Sequence, residues 1–423
     1  MFQRNRVIWW PCAVLVMAAT SAAAVPNVAV TSTATTTTLK QAFDAAWQRQ
    51  PEALSQQMRQ DAAVAQQQAA TLWTAEPVAL ELSTKTDRLN QNLGRDETVA
   101  GISIALWLPG ERTRTVAVAD AQARAAGSRV RAAQLRTAAS VREAYWTWQR
   151  AHMDHGLDGE LLGHAQQLAQ DVAKRVRAGD LARSDQHQAD AALAAAEGTL
   201  AEATGLLASA AQRLRTLTGL APRLPAAGTT SAEPMPVLPA DSVTLLATHP
   251  AVAELQDSAD VAQRSAELAH AQTRANPELT LATGRDRGQL DEAYQHSITL
   301  GIRIPLGSGS RNQAKRASAQ ADAIEAEAQL RLERERLQGD VEAARVGLVS
   351  AQTQVNASQR RAQLARESRA FFQKSFQMGE TDLPTRLRME REAMEAERQA
   401  ARAGIDLAAA HSALRQTLGL LPE

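Results

Sequence analysis

Four side chains on one short stretch have the chemistry to hold a metal ion. His152, Asp154, His155 and Asp158 lie in a run of helical composition, and two histidines three apart share a helix face, where imidazole and carboxylate suit a transition-metal cation. A solvated helix face accounts for the same four residues, since the sequence fixes no further ligand for the pair His152 and His155. Met378, Met389 and Met394 offer thioethers to a soft cation, or simply fill a helix interface. Tyr145, Trp146 and Trp148 either line a passage or pack between helices. Beyond these the chain is poor in reactive groups. Its 8 histidines are scattered, its single cysteine is Cys12, and no activated nucleophile, phosphate loop, closed metal site or cofactor motif is present, which argues against an enzyme. With 46 basic and 46 acidic residues there is no charge excess to draw the chain to nucleic acid.

The elements that must position these residues are organised around Ser297 to Arg311. Ile298, Leu300, Ile302 and Ile304 alternate with Ser297, Thr299, Gly301 and Arg303, the period of two of a strand with one apolar face. Pro305, Gly307 and Gly309 stop it. From Ser310 to Met378 no proline occurs and Ala, Gln, Glu and Arg dominate, which predicts one very long helix. About 200 residues earlier the event is the same: Ile102, Ile104, Leu106 and Leu108 alternate with Gly101, Ser103, Ala105 and Trp107, end at Pro109-Gly110, and open a helix predicted to reach Ala178, on the order of 100 Å long.

Only 3% of the 423 residues are aromatic and much of the apolar fraction is alanine, so closely packed helices fit better than a bulky globular core. Residues 1–24 read as a signal peptide, with Arg4 and Arg6, an apolar Val7–Ala19 and small residues at Ala22-Ala23-Ala24. That apolar segment is too short to cross a membrane, and no later stretch approaches the ~20 apolar residues required. If this chain enters a membrane, strands must do it.

Residues 25–38 read as a loose lead-in, followed by helices from Leu39 to Trp73 broken at Gln50-Pro51. A β-hairpin spans 77–108, its first strand marked by Val78, Leu80 and Leu82. A coiled-coil hairpin spans 110–218, turning at Gly179-Asp180; its return helix carries Leu193, Leu200, Leu207 and Leu214 seven apart, with Ala196, Ala203, Ala210 and Leu217 between them. A linker, 221–240, holds five of the 15 prolines. The second part, 241–423, repeats the first, 25–220, in register: Thr248-His249-Pro250 answers Arg49-Gln50-Pro51, Asn276-Pro277 answers Glu76-Pro77, Met378-Gly379-Glu380 answers Ala178-Gly179-Asp180, and Leu414-Arg415 answers Leu214-Arg215. Its β-hairpin spans 277–305 and its coiled-coil hairpin 310–418, with Ala393, Ala400, Leu407 and Leu414 as heptad positions. The predicted fold is mainly α with a small β part.

Four strands of about ten residues, apolar on one face, match the strands of outer-membrane barrels, but such barrels need about eight strands or more. An open edge is forbidden in lipid, so copies must pool their strands. Two copies leave no channel; three give a barrel of about twelve strands around a wet lumen, continued by an α-helical barrel.

At this point the chain resembles the TolC-type outer-membrane efflux proteins over Leu39 to Leu420. The resemblance rests on the Gln50-Pro51-Glu52 helix start, Val-x-x-Ala-Tyr at Val141 to Tyr145, glycine-bearing tips at Gly179 and Gly379, and Leu-x-x-x-x-Gly endings at Leu214–Gly219 and Leu414–Gly419. It implies a homotrimeric duct in the cell outer membrane, extending into the periplasm, in contact with outer-membrane lipid and fed by an inner-membrane pump through a periplasmic adaptor. The ending Ile304-Pro305-Leu306-Gly307-Ser308-Gly309 resembles members that serve metal-cation pumps. By the same resemblance the tips Gly179, Asp180, Leu181, Gly379, Glu380 and Thr381 are expected to meet the adaptor, and a carboxylate at Asp185 to narrow the mouth, with Asp382 as a further gate candidate. Where a second acidic ring would sit, this chain has Thr385 and Arg388; Asp382 and the nearby Glu390 are off register, and a solvated face accounts for both. A periplasmic adaptor would have one hairpin flanked by β-rich domains, and a purely structural coiled coil would lack amphipathic strands.

Overall fold

In a computed structural model the structure describes residues 37–90, 92–223, 232–237, 246–307 and 309–423. The expected signal peptide, most of the lead-in and much of the linker lie outside the described residues. The elements, in order, are α1 (Leu39–Gln48), α2 (Pro51–Ala70), β1 (Ala79–Thr86), β2 (Asp96–Ala105), α3 (Glu111–Ala178), α4 (Arg183–Thr218), α5 (Pro250–Ala271), β3 (Glu278–Arg287), β4 (Gln295–Arg303), α6 (Gly309–Gln377) and α7 (Leu383–Thr417). Local chemistry sets their starts. Thr38 and Gln41 form a reciprocal capping box on α1, each side chain accepting the other residue's backbone N–H at 3.2 Å. Pro51 and Pro250 occupy the first turns of α2 and α5, where a missing N–H costs nothing.

The four strands make one antiparallel sheet in the order β1-β2-β3-β4, so the two hairpins join through β2 and β3. Directly opposed residues share a face. Leu80, Ile102, Leu281 and Leu300 therefore form one apolar row, with Ile104, Leu279 and Ile302 in the next. The other face carries Gly101, Ser103, Thr280, Ala282, Thr299 and Gly301. The apolar side chains are left uncovered: Leu80 is 79% exposed and Ile298 81%. The strands end earlier than their alternation predicts. Leu106 and Leu108 lie past β2, and Ile304 past β4: Leu106 donates to the carbonyl of Pro277, which has no N–H to return, the Leu108 N–H is taken by Glu111, and Pro305 follows Ile304.

The helices pack as two hairpins, α3 against α4 and α6 against α7. On α4 the buried seam consists of Ala189, Ala196, Ala203 and Ala210, while Leu193, Leu200 and Leu207 are only half-buried. Of the two heptad series the alanines are the more buried, because their methyl side chains let α3 approach closely while Leu193, Leu200 and Leu207 flank the seam; Leu214, in the leucine series, is fully buried. On α6, Val341, Leu348, Val355, Ala362 and Phe376 are buried seven or fourteen apart, and the seat between Ala362 and Phe376 is Arg369. The main core cluster gathers Phe43 of α1, Val141, Tyr145, Trp146 and Trp148 of α3, Leu214 of α4 and Ile405 of α7. Among the described residues no helix is long and apolar enough to cross a membrane.

Candidate functional site

The strand-to-helix handover is built on a buried carboxylate. Gly110 takes a left-handed φ of 74°, which turns β2's exit into α3. The next residue, Glu111, is 2% exposed. It accepts hydrogen bonds from the Leu108 N–H at 2.9 Å, Gln272 Nε2 at 2.7 Å and Asn276 Nδ2 at 3.0 Å. Two of these donors belong to the second repeat. At the first turn of a 68-residue helix the carboxylate also meets the positive end of the backbone dipole. Glu111 therefore ties the sheet, α3 and the α5–β3 junction to one point.

At the far end of each hairpin the chain reverses through the same hydrogen-bonded cap. The N–H groups of Gly179 and Asp180 reach the carbonyls of Val176 at 3.1 Å and Arg175 at 2.9 Å; those of Gly379 and Glu380 reach Phe376 at 3.2 Å and Ser375 at 3.0 Å. Both glycines have left-handed φ, 87° and 80°, and a Cβ at either would meet open space. The tips are joined across repeats. Arg175 donates to the Phe376 carbonyl at 3.1 Å and the Gln377 carbonyl at 3.4 Å, and the buried Phe376 ring lies between the guanidinium groups of Arg175, 5.0 Å away, and Arg386, 4.8 Å away. Leu168, Val172 and Leu383 pack around the ring. Above it a cavity of about 790 Å³ opens between the hairpins, lined by His164, Asp171, Arg369, Arg386 and Glu390.

Higher up, α3 and α7 are zipped by charge. Arg150 pairs with Asp406 at 2.7 Å, Asp154 with Arg402 at 2.8 Å, and Asp158 with Arg398, each step of four along α3 toward the tip being matched by a step of four back along the antiparallel α7. The Asp154 hydrogen bond raises the pKa of Arg402. These pairs take apart the expected metal cluster: Asp154 and Asp158 turn to arginines of α7, leaving His152 and His155 without a carboxylate from their own stretch. Asp158 is buried, not solvated. Among the described residues no group of three or more His, Cys, Asp or Glu is placed to hold a metal ion.

An outer membrane efflux protein family model matches residues 42–220 and again 242–420. The chain belongs to the outer membrane efflux protein family. It is accordingly a transport protein of the outer membrane and not an enzyme. The cobalt-zinc-cadmium resistance protein CzcC of Cupriavidus metallidurans is 34% identical over 147 residues, and that match spans 34% of each chain. The crystal structure of CusC superposes with a TM-score of 0.77 at 19% identity, covering 90% of this chain and 92% of that one. That of the outer membrane protein VceC from Vibrio cholerae gives 0.72 at 20% identity, covering 91% and 97%. At these identities the two structures share the fold.

Within this family member, Tyr145, Trp146 and Trp148 are packing residues, each 3% exposed, with Tyr145 and Trp146 in an edge-to-face contact at 5.2 Å and the Tyr145 hydroxyl accepting from Gln149 at 2.9 Å. The three methionines occupy different surroundings: Met378 is exposed beside a tip, Met389 is half-buried, and Met394 lies buried under Arg369. The carboxylates near the tips cap helices. Asp185 accepts the Ala182 N–H at 3.1 Å, while in the second repeat Asp382, three residues earlier in register, accepts the Thr385 N–H at 3.3 Å. Thr385 holds the Asp382 carboxyl below the usual carboxylate range. Glu390, expected on a solvated face, instead bridges the hairpins, 3.0 Å from His164 and 3.5 Å from Arg369.

Sequence reasoning missed Glu111, Arg175, Phe376 and Glu233. Glu233, from the Pro-rich stretch expected to be a linker, is buried between Arg142 of α3, at 2.8 Å, and Arg415 of α7, at 3.3 Å. A signal for Glu111 and Arg142 was present: their repeat counterparts are Arg311 and Glu342, both reversed in charge.

Proposed function

We propose that this protein is the outer-membrane channel of a tripartite efflux system, a homotrimer that receives solute from an inner-membrane pump through a periplasmic adaptor. The observation that carries the reading is the open four-stranded sheet. One face is an exposed apolar band, the other is small and polar, and β1 and β4 are edges that lipid does not tolerate. Because the strand number is even, β4 of one copy pairs antiparallel with β1 of the next, and three copies close a barrel of about twelve strands. Helices of 68 and 69 residues, about 100 Å long, then continue the duct through the periplasm. On this reading the chain is a leader, 1–24, followed by two efflux repeats, 25–220 and 241–423, joined by 221–240. Similarity to a protein named for cobalt, zinc and cadmium resistance favours divalent metal cations as cargo.

Deleting the gene should lower tolerance to Co²⁺, Zn²⁺ and Cd²⁺, and unchanged tolerance to these cations and to drugs would overturn the efflux reading. The turns at Gly179-Asp180-Leu181 and Gly379-Glu380-Thr381 serve as the adaptor contacts. In the same assay a bulky residue at Gly179 or Gly379 should remove resistance while trimers remain in the membrane, since the left-handed φ disfavours any Cβ; full resistance in both variants would remove the docking role. Asp185 would place one ring of carboxylates at the closed mouth, and Asp382 a second contribution beside it, which attracts cations. Asp185→Ala should shift the reversal potential of the reconstituted channel toward that of a non-selective pore. An unaltered reversal potential would show that other groups set selectivity.

A further inference from the structure

The strand register extends the apolar face into a charged outer rim. On β3, Leu279 and Leu281 are followed on the same face by Thr283, Arg285 and Arg287; Arg285 is opposed by Thr98 and His296, and Arg287 by Asp96. Tyr294 stands against both arginines, its ring 3.7 Å from the Arg285 guanidinium and 4.8 Å from that of Arg287, and its hydroxyl 3.4 Å from Asp96. Asp96 also pairs with Arg88 at 3.6 Å. Among the described residues neither Arg285 nor Arg287 has a carboxylate within ion-pair distance; Arg287 spends its Nε on the Gly94 carbonyl at 3.0 Å, and the other guanidinium nitrogens remain available.

Height fixes what this rim meets. With strands tilted as in barrels, each residue climbs about 2.6 Å, so Arg285 stands about 16 Å and Arg287 about 21 Å above Leu279. Leu106, the next residue of the apolar series below Ile104, stands level with Pro277, to whose carbonyl it donates, so Arg285 is about 21 Å and Arg287 about 26 Å above the lower edge of the apolar face, the height of a ~25 Å lipid-facing band. Arginines on the lipid face are costly at midplane and nearly free at the interface, so Arg285 and Arg287 belong at headgroup level. The rim is at the end of the sheet opposite the helices, which on the channel reading face the periplasm, so the leaflet concerned is the outer one.

We propose that Arg285 and Arg287, held side by side by Tyr294, seat the phosphate groups of an anionic outer-leaflet glycolipid of the lipid A type. Guanidinium forks match phosphate oxygens in pairs, and stacking on a tyrosine ring removes much of the entropy cost of ordering two arginines. The inference rests on the trimeric channel reading. Native mass spectrometry of the detergent-purified full chain, incubated with bis-phosphorylated or dephosphorylated lipid A, tests both separately. The expected result is trimers that retain phosphorylated lipid A and not the dephosphorylated form. R285Q/R287Q should reduce retention about tenfold, the factor of ~1.4 kcal/mol, while R303Q, on the opposite face beside Glu278, leaves it unchanged. Trimers that hold both lipids equally, or equal retention by wild type and R285Q/R287Q, would overturn the seat alone. Displacement of the lipid by millimolar inorganic phosphate would reduce it to a free-anion site and overturn the lipid assignment. Monomers in the same spectrum would overturn the channel reading and the seat with it.

Discussion

Replacing Glu233 by alanine should destabilise the folded chain by about 3 kcal/mol and deplete assembled protein from the membrane, the largest effect expected of any single substitution outside the seams. The side chains of Glu233, Arg142 and Arg415 are 2%, 5% and 4% exposed. One buried carboxylate therefore faces two cations withdrawn from water. Without it, Arg142 keeps Gln416 Oε1 at 2.5 Å and the Leu420 carbonyl at 3.1 Å, and Arg415 keeps the Pro234 carbonyl at 3.1 Å and Glu423 at 2.9 Å. These residual partners hold the loss toward the lower end of the range for breaking a buried pair. Glu233→Gln, which keeps the shape and some hydrogen bonds, should cost clearly less. Trp146 and Trp148 lie within two turns of Arg142 on α3, so tryptophan fluorescence during urea unfolding reports the change. A loss below about 1 kcal/mol in E233A would show that the arginines are hydrated and that the segment around Glu233 is not a clamp.

Most of the architecture was legible because it rests on local rules. Alternation over Ile298 to Ile304, the prolines at 51, 77, 109, 250, 277 and 305, and the glycines at 179 and 379 each act within a few residues. The strands and long helices follow directly. Contacts between repeats do not, because they depend on which helix faces which. His152, Asp154, His155 and Asp158 read as a solvated or metal-binding patch until α7 brings Arg402 and Arg398 opposite the two carboxylates, with Arg150 completing the triplet on α3 by pairing with Asp406. Yet the repeat itself carried a clue. The counterparts of that α3 triplet are Ser350, Gln354 and Ser358, and those of Arg398, Arg402 and Asp406 are Gly198, Glu202 and Leu206, so the zipper can form at only one of the two pseudo-equivalent interfaces. Arg142, Glu111 and Arg175, answered by Glu342, Arg311 and Ser375, obey the same logic. Positions where a tandem repeat breaks its own charge pattern are where its two halves hold each other. The capping carboxylates show the limit of register arguments: Asp185 and Asp382 do the same local work from opposite ends of the cap, which no match of position to position reveals.

In the proposed trimeric channel, Arg175→Ala should widen the periplasmic mouth, seen as a higher single-channel conductance with trimers intact. Arg175 lies in the last turn of α3 yet spends its donors on the terminal carbonyls of α6, at Phe376 and Gln377, and lays its plane on the Phe376 ring. Those carbonyls are among the four that every helix leaves without an internal partner, so the arginine closes the end of α6 while fastening one tip to the other. Hydrogen bonds from a charged donor contribute about 1.5–3 kcal/mol, and half-burial brings this to about 1–2 kcal/mol. At ~1.4 kcal/mol per factor of ten, the splayed arrangement of the tips becomes roughly tenfold more populated. Arg386 stays on the other side of the ring, 4.8 Å away, so the hydrophobic cluster of Leu168, Val172, Phe376 and Leu383 keeps the hairpins folded. Arg175→Lys retains a charge and one donor but loses the planar stack, and should fall between wild type and alanine. If R175A conducts like wild type, the contact between α3 and α6 fixes the tips in place without governing the opening.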